Sequence, residues 1–135
     1  MSIFGGGKKD TRPVDEGLAH LRGSDEPTAI EFWKKRFKLT AAVPSDVARV
    51  GALTPQIREL TRVDDAEERK RLTRARIIAF AQLSPEERQT ITAARQKAFE
   101  IDPAVLKADQ ELVDQLMPTL DEKVRAAYPS AGRNS

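Results

Sequence analysis

The chain has 135 residues, 33% of them charged and 39% hydrophobic, with a formal net charge of only +2. That length suits one domain, and the composition is too apolar for a wholly disordered chain. Cysteine is absent and His20 is the only histidine. These counts exclude a disulfide scaffold, a thiol nucleophile, a zinc site built from cysteine and an iron–sulfur centre.

No apolar run approaches the roughly 20 residues that cross a bilayer. The first ten residues also lack the apolar core of a secretory signal. We therefore expect a cytoplasmic protein.

Glycine and proline dominate the beginning of the chain. Five glycines and Pro13 interrupt residues 1–26, and no helical or strand period is sustained there. This composition predicts a flexible N-terminal arm, with the pair Ile3-Phe4 as a small apolar tip. We expect a helical bundle at 27–128 and a disordered C-terminal tail at 129–135.

Capping signals mark the helix starts that follow the arm. Ser84-Pro85-Glu86-Glu87 and Asp102-Pro103 are two examples. A short oxygen-bearing side chain accepts from a free N–H of the first turn, and proline lacks an N–H that would have no partner there. No segment alternates with period two over the length of a strand. The sequence predicts an all-α, compact bundle of five to six short helices, at 27–40, 45–53, 55–62, 65–83, 85–100 and 103–127, the last broken near Pro118.

Apolar residues recur at helical spacing along these segments, as Ile30, Trp33 and Phe37 do on the first helix. Such a stripe is typical of a helix with one face on a core. The predicted core contains Trp33, Phe37, Leu72, Phe80, Ile91, Phe99, Leu112 and Leu116.

Two consecutive predicted helices resemble each other. Residues 67–80 and 86–99, the first and second copy, share eight of fourteen positions at an offset of 19. A structural repeat explains this, and so does shared capping in an Ala- and Arg-rich composition. The second copy has Gln96 and Lys97 where the first has two isoleucines, so we expect it to be the more exposed.

The small net charge conceals two opposed regions. Residues 28–80 contain twelve Lys and Arg against seven Asp and Glu, whereas residues 102–122 contain six acidic residues against Lys107 alone. The two regions could neutralise each other across the bundle or be solvated. Alternatively, they could dock onto complementary surfaces of other chains.

Reactive side chains do not converge in the sequence. His20 lies in the arm without a Glu-x-x-His context. Asp109, Glu111 and Asp114 are too spread for an acid–base pair and lack the central glycine of a calcium loop. Residues 5–9 lack the spacing and the Ser or Thr of a phosphate loop. We expect no enzyme activity, no metal, no cofactor and no small-molecule substrate.

The stretch 46–60 resembles a helix-turn-helix and supports nucleic-acid binding as a second hypothesis. Gly51 stands one residue too early for that motif. The recognition helix would be 55–62, where only Arg58 and Arg62 are basic. Phosphate neutralisation usually requires more cations.

The leading hypothesis is a non-catalytic protein–protein interaction module, a small accessory or scaffolding subunit of a larger assembly. Weak attachment to an anionic membrane surface, through the arm tip and the basic first helix, is a third hypothesis. The residues expected to bind a partner are the arm tip and two basic sets: Ile3, Phe4, Lys34, Lys35, Arg36, Lys38, Arg69, Lys70 and Arg71.

Overall fold

The computed structural model describes residues 21–128, and their regular structure is entirely helical. The elements in chain order are α1 (Glu26–Ala42), α2 (Asp46–Thr61), α3 (Ala66–Ala81), α4 (Pro85–Ile101), α5 (Pro103–Leu116), a 3-10 turn (Met117–Thr119) and α6 (Glu122–Ala127). The all-α class and the compact bundle are confirmed. Residues 1–20 of the predicted arm and the predicted tail at 129–135 lie outside the described residues.

Three helices begin at caps of the kind that the sequence predicts. The side chains of Asp25 and Ser45 each accept from a backbone N–H of the first turn, and Ser84 forms a full capping box with Glu87. Asp102 differs, because it makes no side-chain cap bond. Its carboxylate instead accepts from Nη2 of Arg58 at 2.6 Å.

The structure corrects the predicted break between the helices 45–53 and 55–62. Both belong to the single helix α2, which continues through Pro55. A turn at this point is what the helix-turn-helix interpretation of 46–60 required, so that part of the nucleic-acid hypothesis is wrong.

Burial on both sides of Pro55 explains why α2 continues. Proline removes the N–H that would bond to the carbonyl of Gly51. However, Leu53 before it and Ile57 after it are both buried on the core side, and burying an aliphatic side chain contributes about 1.5–3 kcal/mol. The amide of Gln56 also donates to the carbonyl of Ala52 at 2.9 Å.

The core follows the prediction closely. Six of the eight predicted core residues are buried, and Phe99 and Leu112 pack against its edge, partly exposed. Phe37, Phe80 and Tyr128 form an edge-to-face series, with ring centroids 5.9 and 5.1 Å apart.

Helix packing places the acidic α5 against three other helices. α1 lies against α3, α2 lies against α4, and α5 contacts α2, α3 and α4. The acidic α5 is therefore in contact with both of the helices that carry the two sequence copies.

Across the described residues, no helix is both long enough and apolar enough to cross a membrane.

Candidate functional site

Three buried charged residues meet where α5 contacts α3 and α4. Arg76 Nη2 lies 2.8 Å and Arg95 Nη1 2.9 Å from the same oxygen, Oδ2 of Asp109. The three residues are 4%, 5% and 1% exposed. Arg95 also donates to Oε1 of Gln110 at 2.9 Å. We call Arg76, Arg95 and Asp109 the arginine cluster.

The two arginines of this cluster are equivalent in the two sequence copies. Arg76 and Arg95 are 19 residues apart, which is the offset between the copies. The apolar residues around them are equivalent too, because Leu72 and Ala75 are buried in the first copy as Ile91 and Ala94 are in the second. The copies therefore present the same face to the interior, which favours the structural repeat.

Electrostatics hold the cluster in its charged form. Burial opposes ionisation of Asp109, but Arg76 and Arg95 outweigh it and keep the pKa of this carboxyl below its ordinary value. Burial acts to lower the pKa of the Arg76 guanidinium, but Asp109 and Tyr128 outweigh it and raise this pKa above its ordinary value. With two cations and one anion, the cluster keeps a net charge of +1.

The arginine cluster connects helices and provides no reactive group. A guanidinium group only donates hydrogen bonds, and Asp109 accepts from both of them. Within residues 21–128, no group of three His, Cys, Asp or Glu side chains could hold a metal ion.

Within residues 21–128, ion pairs join the two opposed charge regions. Arg76 pairs with Asp109, and Arg58 pairs with Asp102. Part of the basic region is thus neutralised by the acidic region across the bundle, so these two acidic residues are already occupied within the fold.

The basic set on α3 is also occupied by its own chain. Arg69 donates to the carbonyl of Val63, and Lys70 lies 3.8 Å from Glu67. Arg71 donates to the carbonyls of Ser24 and Leu21 at 2.6 and 2.9 Å. This connection holds the segment before α1 against α3.

Glu68 completes the binding of Arg71, at 2.7 Å. Its hydrogen bond to Arg71 keeps the pKa of Glu68 below its ordinary value. Arg71 therefore has a structural role, which the sequence analysis did not assign to it.

The basic set on α1 divides into two pairs. Lys34 lies 3.9 Å from Glu31, and Lys38 bonds to Glu87 of α4 at 3.2 Å. Lys35 is exposed. Arg36 is partly buried, which lowers the pKa of its guanidinium, and it lies over the ring of Phe32 at 4.8 Å.

Lys35 and Arg36 line a groove between α1 and α2 with a volume of about 460 Å³. We call this the docking groove. Most of its other lining is apolar, and Leu39 is 66% exposed. Among the described residues, no carboxylate lines it. Its lining residues are Phe32, Lys35, Arg36, Leu39, Thr40, Val43, Ala52 and Gln56.

The apolar part of the docking groove was missed by sequence reasoning. Phe32, Leu39 and Val43 are spaced i, i+7 and i+11, a second stripe beside the one that carries Trp33 and Phe37. The spacing was visible in the sequence, but only the basic residues between these three were predicted to bind a partner.

The structure brings Lys35 and Arg36 together with this second stripe and does not bring the α3 set to it. Ile3 and Phe4 lie outside the described residues.

Comparisons of the chain with protein-family models, with curated proteins and with solved structures found no match.

Proposed function

We propose that the protein is a non-catalytic interaction module, an accessory or scaffolding subunit that holds a segment of another protein in the docking groove. One observation carries this proposal: an open, mostly apolar groove is bordered by exposed Lys35, and among residues 21–128 no carboxylate lines it. The proposal retains the cytoplasmic location expected from the sequence.

The dimensions of the docking groove suit a short helix of a partner. Phe32 on α1 and Val43 directly after its end are eleven residues apart, which at the helical rise corresponds to about 16 Å, or three helical turns. Clefts that hold ligands typically measure about 300–1,000 Å³, and the groove lies within that range. An amphipathic helix places residues i, i+3 or i+4, and i+7 into such a groove.

Charge determines which helix would fit. Exposed Lys35 favours a carboxylate on the partner, whereas a basic partner would meet like charge there. Electrostatic complementarity of this kind contributes to specificity and association rate more than to affinity. The expected partner is therefore a helical segment with apolar anchors on one face and Asp or Glu beside them.

The other hypotheses have less support from the described residues. The continuous α2 removes the turn of a helix-turn-helix. Arg69 and Arg71, which could add contacts to phosphate, already donate to backbone carbonyls of this chain. Nucleic acid and membrane lipid are retained as outcomes of the test below.

A photo-crosslinking amino acid placed at Leu39, in cells that naturally make this protein, tests the proposal. The matched control carries the same group at Lys107, an exposed position on α5. We expect position 39 to crosslink to a protein segment that combines apolar and acidic residues, with no such product at position 107. Lys35→Glu should reduce this product several-fold.

Three results would contradict the proposal. They are adducts of nucleic acid or lipid at position 39, a crosslinked protein segment without acidic residues, and crosslinking that is equal at positions 39 and 107.

A further inference from the structure

A second cavity lies inside the bundle, beside the arginine cluster. It is largely enclosed, and apolar side chains from α1, α2, α3 and α4 form most of its wall. Its volume is about 20 Å³, and a cavity needs roughly 10–15 Å³ to hold one water molecule. It therefore has room for a single small guest.

Five side chains with polar groups also line this cavity: Gln56, Arg76, Thr92, Arg95 and Tyr128. All of them except Thr92 are at least nine-tenths buried. Among the described residues, Nη1 of Arg76, Nε of Arg95 and Oε1 of Gln56 have no hydrogen-bond partner. Buried polar atoms almost always have a partner, from the protein or from ordered water.

Hydrogen bonds determine the orientation of the Gln56 amide. Its Nε2 donates to the carbonyl of Ala52 at 2.9 Å and to the hydroxyl of Thr40 at 3.3 Å. The atom left without a partner is therefore the oxygen, which can only accept.

The chemistry of these three atoms decides between two kinds of guest. A monatomic anion would accept from Arg76 and Arg95 and would offset the net positive charge of the cluster, but it would face the Gln56 oxygen with like partial charge. A water molecule accepts from both N–H groups and also donates to that oxygen. Water satisfies all three atoms, whereas an anion satisfies two of them.

We propose that this cavity is a binding site for one internal water molecule, which bridges Arg76, Arg95 and Gln56. The water connects α2 to the arginine cluster, whose three residues lie on α3, α4 and α5. Gln56 also lines the docking groove, so its side chain separates the groove from the internal water. This proposal does not depend on the proposed function.

Nuclear magnetic resonance of the full chain with ¹⁵N-labelled arginine tests the site. We expect the Nε–H of Arg95 to show a cross-relaxation peak at the water frequency. Its sign should be that of a water molecule that stays bound for longer than nanoseconds. Exposed Arg125 provides the reference. In the variant Gln56→Met this peak should weaken several-fold, while Gln115→Met, an exposed change on α5, should leave it unchanged.

A crystal grown in sodium bromide gives a second measurement that needs no variant. We expect electron density for one water in the cavity and no anomalous bromide signal. A bromide signal there would overturn the proposal in favour of an anion site. A dry cavity with no water cross-peak at Arg95 would overturn it as well.

Discussion

Helices α3 and α4 contain similar sequences, but α3 is more deeply buried in the bundle than α4. Their shared positions include Arg76 and Arg95, which both face Asp109. Their unshared positions decide the depth, because Ile77 is fully buried while its counterpart Gln96 is exposed. The predicted greater exposure of the second copy is confirmed at Gln96 and Lys97.

The comparison shows that two separate parts of the sequence pattern control packing. The shared positions, apolar residues with one arginine, determine which face turns inward. The two positions that differ determine how much of the remaining surface is covered. A shared carboxylate on α5 then uses the arginines of both copies, so changes at Asp109 should affect both helices together.

Asp109→Ala should have the largest effect. It leaves two buried guanidinium groups without their shared partner, and breaking a buried ion pair in this way costs about 3–5 kcal/mol. Urea denaturation of the full chain measures the loss. Glu111→Ala, an exposed change on the same helix, should stay within about 0.5 kcal/mol, and equal losses for the two variants would contradict the role of the cluster.

The triple variant Arg76→Met, Arg95→Met, Asp109→Leu extends this prediction. Replacing a buried ionic cluster by apolar residues of similar volume is often neutral or stabilising. We therefore expect the triple variant to be more stable than Asp109→Ala alone. If the triple variant is the less stable of the two, unpaired charge is not the cause of the single variant's loss.

Exchanging the unshared residues between the copies should have the next largest effect. Ile77→Gln removes a fully buried side chain, worth about 1.5–3 kcal/mol, and buries an amide, which costs about 1–3 kcal/mol if it finds no partner. We expect a loss of roughly 2.5–6 kcal/mol in urea denaturation, the sum of the two contributions. Gln96→Ile on α4 should change stability by about 0.5 kcal/mol at most. Similar losses from the two exchanges would contradict the difference in depth.

Local signals were the predictable part of the fold. Ser84 and Glu87 are three residues apart, so their capping box could be identified without knowing the tertiary structure. The continuity of α2 through Pro55 could not be predicted, because it depends on burial of Leu53 and Ile57 against other helices. A proline preceded by Leu-Thr matches the start of a helix equally well.

The site was less predictable for the same reason. Whether Arg71 is a free surface cation or holds the carbonyls of Leu21 and Ser24 depends on contacts across about fifty positions of sequence. Asp109 likewise stood in an acidic segment with nothing local to distinguish it from Glu111 or Asp114. The apolar stripe of the docking groove was the exception, since its spacing along α1 is local.

Protonation of Asp109 in acid should lower the free energy of unfolding by less than the substitution Asp109→Ala does. The folded pKa of Asp109 lies below its ordinary value of 3.8, so its stabilisation is complete above that value and is lost as the pH falls through the folded pKa. The protonated side chain still accepts hydrogen bonds, so the loss is smaller than in Asp109→Ala.

Urea midpoints measured between neutral pH and pH 2 test the acid prediction. Below the ordinary Asp pKa of 3.8, the wild-type protein should lose stability more steeply with falling pH than the triple variant. Carboxyls outside the cluster, such as Glu68, contribute equally to both chains and cancel. If the urea midpoints of the two proteins fall in parallel with pH, ionisation of Asp109 does not contribute to stability.

The smallest effect on stability should come from the docking groove. Leu39 is 66% exposed, so Leu39→Ser removes little buried apolar surface and should change the free energy of unfolding by about 0.5 kcal/mol at most. Phe37, two residues earlier and 4% exposed, gives the contrast, because Phe37→Ala should cost about 3–5 kcal/mol. A loss at Leu39 close to that at Phe37 would mean that the exposed stripe belongs to the core. If Leu39→Ser instead keeps the midpoint and reduces crosslinking of the partner at a neighbouring groove position such as Val43, then the apolar residue at this place serves binding rather than folding.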